Sequence, residues 1–170
     1  MDWYCIYITI FMHLGEGEEI VKIYHHHPTP YIYRMLKIIL AAFPFLLILF
    51  VSQESFHTTS SYVIAHLVVL VFFSIVVLYV SLIYWLDKLV VTNQRVVYID
   101  WQFLTIRKEV EALLEDIQDI ATQENGFLAF FKVFDYGSIK VETASSHVTI
   151  QFDDAPDPEA IRKFIYHVRH

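Results

Sequence analysis

Two apolar runs, Met35–Val51 and Tyr62–Leu86, are separated by ten mostly polar residues and followed at once by the strand-like stretch Lys88-Leu-Val-Val-Thr-Asn-Gln-Arg-Val-Val-Tyr-Ile-Asp100. The second run holds 25 residues without Asp, Glu, Lys or Arg. At about 1.5 Å per residue it reaches about 37 Å as a helix, enough to cross a hydrocarbon core of about 30 Å even when tilted. The first run is shorter and carries Lys37, which can snorkel to the headgroups beside Tyr31 and Tyr33. The chain is therefore read as a hairpin of two transmembrane helices holding a small β-rich domain against the bilayer. The boundaries expected are 1–34 for an N-terminal segment, 35–86 for the hairpin with its outer loop at 52–61, and 87–170 for the domain.

Charge placement gives the orientation. Ser52–Ser61 contains Glu54 and no Lys or Arg, whereas Arg34, Lys37, Lys88 and Arg95 flank the other ends of the two helices. By the positive-inside rule both termini are cytoplasmic in a multi-pass protein of the cell membrane. Pro44 within Phe43-Pro44-Phe45 is expected to leave a packing kink. His66, near the outer interface, is read as a wet, uncharged side chain. Met1–Met12 is apolar but too short to span and lacks the basic start and cleavage site of a signal peptide. Met12 offers an alternative start.

Past the membrane, short β-branched and aromatic runs are punctuated by polar turns: Leu89–Thr92, Arg95–Ile99, Phe103–Arg107, Ile117–Thr122, Ser138–Thr143 and Val148–Phe152. Tight reversals are expected at Asn93-Gln94 and at Asp100-Trp101-Gln102. Asp157-Pro158-Glu159 supplies an N-cap, a proline at the first helical position and an acidic first turn. Ile161, Phe164, Ile165 and Val168 then share one face of a closing amphipathic helix.

Composition and motifs narrow the function. The net charge is −7, and from Asp87 onward 14 acidic residues face 9 basic ones, a poor balance for a nucleic-acid partner. There is no Gly-x-Ser-x-Gly, no His-Glu-x-x-His and no phosphate-cradling glycine loop, so no enzyme, catalytic residue or cofactor is expected. The single cysteine, Cys5, excludes an intrachain disulfide. His25-His26-His27 is the best metal candidate. Neighbouring side chains diverge in an extended segment, so a polar linker before Pro28 is the preferred reading and no metal is expected. Glu109, Glu111, Glu115, Asp116 and Asp119 lack the glycine-turned spacing of a calcium loop and read as solvated faces.

Two surfaces remain as candidates. Lys88, Arg95, Arg107 and Lys108 could hold anionic headgroups non-specifically, at roughly 1 kcal/mol per charge. Phe127, Leu128, Phe130, Phe131, Phe134 and Tyr136 crowd a segment with little regular period, which could present an apolar patch to a protein partner or cap the open end of the domain.

Leu89-Val-Val-Thr-Asn-Gln-Arg-Val-Val-Tyr98, Glu115-Asp-Ile-Gln-Asp-Ile120, Phe131-Lys-Val-Phe-Asp-Tyr-Gly-Ser-Ile-Lys-Val141 and Asp154-Ala-Pro-Asp-Pro158 together resemble the bacterial pleckstrin-homology-like family. More narrowly, the chain is similar to its short membrane-anchored, YdbS-like members, in which a pair of membrane helices precedes the domain. The resemblance implies a partly open antiparallel barrel closed by one C-terminal helix, and no established activity. Such a barrel has seven strands where six are counted, so Glu19-Ile-Val-Lys-Ile-Tyr-His25 is a candidate edge strand. The function expected is a non-enzymatic binding or assembly module, through homo-oligomerisation or a membrane protein complex. Its alternative is recognition of anionic membrane lipids at the inner leaflet.

Overall fold

A computed structural model describes residues 12, 14–56, 58–125, 136–144 and 149–169. Chain order is β1 (Ile20–His25), α1 (Pro28–Val51), α2 (Thr59–Leu86), β2 (Lys88–Thr92), β3 (Arg95–Phe103), β4 (Ile106–Leu113), β5 (Ile117–Asn125), β6 (Tyr136–Thr143), β7 (Thr149–Pro156) and α3 (Pro158–Arg169). The strands form two antiparallel sheets, β1-β2-β3-β4 and β5-β6-β7. With α3 against them they make a PH-like fold.

The helices begin earlier than the apolar runs. Pro28 occupies the first turn of α1, where its missing N–H is one of the unsatisfied donors anyway, and His27 caps the helix by accepting from the Thr29 amide at 3.3 Å. Thr58 caps α2 by accepting from the Ser61 amide. Neither helix contains a buried residue, and both are long and apolar enough to cross a membrane. They run antiparallel: Tyr31 stacks on Tyr84 with ring centroids 4.5 Å apart, and further along Phe45 meets Phe73 at 5.8 Å. His66 turns back onto its own helix, against the Tyr62 carbonyl at 3.0 Å.

The N-terminal stretch supplies the seventh strand. In β1, Tyr24 opposes Leu89 and His25 opposes Lys88, so the strand before the hairpin pairs with the strand after it. All five residues of β2 are buried, which explains why its apolar residues do not alternate. Leu89 and Val91 enter the main core between the sheets and α3, with Ile120, Ile139, Val141, Phe152, Ile161 and Ile165. Val90 joins a second cluster with Met12, Val97 and Ile99, flanked by Leu14 and Ile20.

One expected turn is displaced. The Asn93-Gln94 reversal forms, with Thr92 Oγ1 accepting the Arg95 amide at 2.9 Å. No reversal occurs at Asp100–Gln102, however; β3 continues through it and turns at Leu104-Thr105. The Asp87 carboxylate accepts the Trp101 amide at 2.7 Å, and a bulge between Trp101 and Phe103 absorbs the bend that the polar pair suggested.

Candidate functional site

The polar chemistry of the described residues concentrates where the helix hairpin meets the domain. There β1 ends, α1 begins, α2 ends and a bulge in β7 all face one another. Gly137 opposes Ala155 while Ile139 opposes Phe152, so β7 carries one residue too many between them. Asp154 absorbs it in the left-handed region, with φ 55°, a conformation that Asp tolerates better than most residues.

The bulge turns three acceptors toward the start of α1. The Asp153 carbonyl receives Nδ1 of His26 at 2.6 Å, and the Asp154 carbonyl receives the His27 amide at 2.6 Å. The Asp154 carboxylate takes the Arg34 guanidinium at 3.1 Å. Since a carbonyl can only accept, Nδ1 of His26 carries a proton. Its ring stacks on Phe152 at 4.7 Å. From α2, the Tyr84 hydroxyl donates to the His26 carbonyl at 2.8 Å. Ser81 donates to Val77, so at 2.9 Å Tyr31 is the donor to Ser81.

These groups enclose a cavity of about 230 Å³. The helices line it with Tyr31, Arg34 and Tyr84, and the domain side contributes His26, Asp87, Tyr98, Asp100, Asp153 and Asp154. Burial pushes the Asp87 carboxyl up to about 6, against the opposing pull of the Trp101 amide. Burial also lowers His26 below the usual imidazole value. The Tyr98 phenol is raised far above its ordinary value, by burial first and then by the carboxylates of Asp100, Asp87, Asp153 and Asp154. The cavity is an anionic, aromatic recess with one guanidinium at its helix end.

None of the cationic residues singled out from the sequence lines this recess; Lys88 and Arg107 come close enough to repel each other, whereas Arg95 stands apart from them. Lys88 is buried at the helix end of β2, where burial and then Arg107 lower its ammonium pKa. Arg95 lies at the far end of β2 and β3, just after the Asn93-Gln94 turn, paired with Glu18 at 2.8 Å and with Glu111. Arg107 pairs with Glu109, and Lys108 is exposed beside it on β4. Phe127, Leu128, Phe130, Phe131 and Phe134 lie outside the described residues, whereas Tyr136 begins β6 and stacks on His27 at 5.7 Å. His25, His26 and His27 serve three separate surroundings, and no three His, Cys, Asp or Glu side chains among the described residues are placed to hold a metal ion. Glu109, Glu111, Glu115, Asp116 and Asp119 are exposed on β4, the turn after it and β5.

The sequence reading missed the cavity because its lining comes from five separate stretches. Only the adjacent acids Asp153-Asp154 before an Ala-Pro pair offered a signal for the special backbone there.

No curated protein matches the chain. Among solved structures, the crystal structure of a DUF1696 family protein with a pleckstrin-homology domain from Shewanella loihica PV-4 is similar over 49% of this chain and 71% of that one, at 17% identity and a TM-score of 0.39. The bacterial PH domain family matches residues 36–169, from within α1 through α2 to the end of α3, with β1 outside the match. Over that length the chain belongs to the bacterial PH domain family.

Proposed function

We propose that this chain is a membrane-anchored, non-catalytic PH-like module that assembles with protein at the cytoplasmic face of the membrane, as a homo-oligomer or as a subunit of a larger complex. The observation that carries this reading is the pairing of β1 with β2 around the hairpin, Tyr24 to Leu89 and His25 to Lys88. It ties the near ends of both helices into one sheet, so a partner that packs on the helices is felt in the domain. The helices expose Phe43, Phe50, Val51, Phe72 and Ile75, an apolar surface that lipid or partner helices must cover. Arg34, Lys37 and Lys88 at the domain end, against Glu54 at the far end, favour cytoplasmic termini.

Anionic-lipid recognition is the weaker reading. Of the four cations nominated for it, Lys88 is buried and both Arg95 and Arg107 are engaged by carboxylates, which supports assembly over headgroup charge. Native mass spectrometry of the full-length protein, gently extracted from its host membrane, tests the choice. A stoichiometric partner or a defined homo-oligomer is expected. A monomer retaining one anionic lipid class would overturn the assembly reading.

A further inference from the structure

The juxtamembrane cavity has an uneven charge distribution that suits a particular kind of guest. At its helix end, Arg34 uses one nitrogen on Asp154 and has no other hydrogen bond among the described residues; its side chain is 57% exposed. At its domain end, Asp87 is 9% exposed and gives one oxygen to the Trp101 amide. Its other oxygen, 4.0 Å from the His26 ring, takes no hydrogen bond among the described residues. Tyr98 and Asp100 lie on the same side, and the Tyr98 hydroxyl likewise has no hydrogen-bond partner among the described residues.

Unfilled acceptors therefore collect at the domain end, while the spare donors at the helix end are those of Arg34 alone. A lone metal ion does not suit this arrangement, since no three acidic or imidazole groups among the described residues come together around one point. A larger cation does. The volume of about 230 Å³ leaves room for a small polar headgroup where a single ion would fill little of it. Tyr31, Tyr84 and Tyr98 add ring surface of the kind that attracts ammonium groups.

We propose that the cavity binds the phosphoethanolamine headgroup of a zwitterionic phospholipid, with the phosphate on Arg34 and the primary ammonium among Asp87, Tyr98 and Asp100. The order along the helices suits phosphate then ammonium: Arg34 lies within α1, whereas Asp87 follows the last residue of α2 and Asp100 lies beside Trp101, whose amide Asp87 accepts. A primary ammonium has three donors for the acceptors that await it, and an uncharged glycerol headgroup lacks that charge. The inference rests on insertion of the helix pair in a bilayer, which flotation of the reconstituted protein with vesicles reads out separately.

Native mass spectrometry of full-length protein titrated with phosphatidylethanolamine and with phosphatidylglycerol of identical chains tests the site. We expect phosphatidylethanolamine to be retained about tenfold more tightly, the worth of one charge-assisted contact. The isosteric double variant D87N/D100N loses that preference, and Arg34→Gln weakens both lipids. Equal retention by the wild-type protein, or a preference that survives D87N/D100N, would overturn the proposal. Free phosphoethanolamine binding as tightly as the lipid would overturn its assignment to a lipid. Should the double variant fail to fold, the wild-type lipid comparison decides alone. Protein that does not float with vesicles of either composition would refute the membrane reading itself, whereas floating protein without selectivity refutes only the site.

Discussion

His26 Nε2 lies 4.0 Å from Asp87 Oδ2, joining the end of β1 to the end of α2 across the mouth of the cavity. Because Nδ1 of His26 already donates to the Asp153 carbonyl, neutral His26 offers Asp87 only a lone pair. An ionised Asp87 then faces an acceptor, and one proton on either group turns the contact into an attraction.

The two groups pull stability in opposite directions with pH. Asp87 is raised from 3.8 to about 6 in the folded chain, so its contribution is full below about pH 4 and is lost as the pH rises through about 6. His26 is lowered from 6.5, so its contribution is full above that value and is lost as the pH falls below it. Asp87→Asn keeps an acceptor for the Trp101 amide and supplies a donor to His26. Thermal melting of the full-length protein in detergent should show the variant more stable than wild type at pH 8, by about 1–3 kcal/mol, with the difference vanishing toward pH 4. A variant less stable at pH 8 would show that the ionised carboxylate is preferred there.

The N-terminal segment is held by a different ion pair. The Glu18 side chain is 1% exposed, and it accepts from Arg95 at 2.8 and 2.9 Å and from the Gly15 amide at 2.8 Å. Burial alone would raise its pKa, yet these hydrogen bonds outweigh it and hold the carboxyl below the usual range. Its stabilisation is therefore present above about pH 4.5 and is lost as the pH falls through its folded value. Glu18→Gln should cost about 1–3 kcal/mol at pH 7. Hydrogen exchange should rise first in β1 and in the outer cluster around Val90 and Ile99. Unchanged protection there would mean that apolar packing alone secures the segment.

Much of this fold is legible in the residues, for local reasons. The helices follow from uncharged apolar runs and α3 from an N-cap, proline and amphipathic face. The turn at Asn93-Gln94 follows from polar residues between β-branched runs. The seventh strand was suggested by alternation in Glu19–His25, and a second clue lay in β2: four consecutive buried residues after Lys88 need cover on both faces, and only an upstream segment was left to provide it. The displaced reversal at Asp100–Gln102 depended on a carboxylate 14 residues away accepting the Trp101 amide. The cavity was illegible for the same reason, since its charge balance arises from separations such as Arg34 to Asp154, 120 residues apart.

Gly137 marks where α3 docks on β6. A Cβ built there would stand 2.1 Å from the Gln123 carbonyl oxygen and 2.8 Å from Cγ of Pro158, the first residue of the helix. The first contact is with the β5 backbone, so β5 and β6 would have to part even if α3 lifted. Gly137→Ala should therefore destabilise the domain by about 3 kcal/mol, an overpacking cost. Gly137→Ala with Pro158→Ala should recover little, because the Gln123 oxygen remains. Full recovery in the double variant, measured by denaturation, would place the strain at the helix instead.

Asp157 sets the angle at which that helix starts. Its φ is 44°, in the left-handed region, and its carboxylate accepts the Ala160 amide at 2.9 Å as the cap of α3. Two costs can thus be separated by substitution. Asp157→Gly gives up the cap and relaxes the backbone, and should lower stability by less than about 1 kcal/mol. Asp157→Ala gives up the cap and keeps a Cβ in a disfavoured conformation, adding about 1–2 kcal/mol. Asp157→Asn retains a side-chain acceptor and tolerance of positive φ, and should stay near wild type. The expected order of melting temperature is Asp, Asn, Gly, then Ala. Ala above Gly would show that unfolded-chain entropy outweighs the strained φ, since glycine has the more to lose on folding.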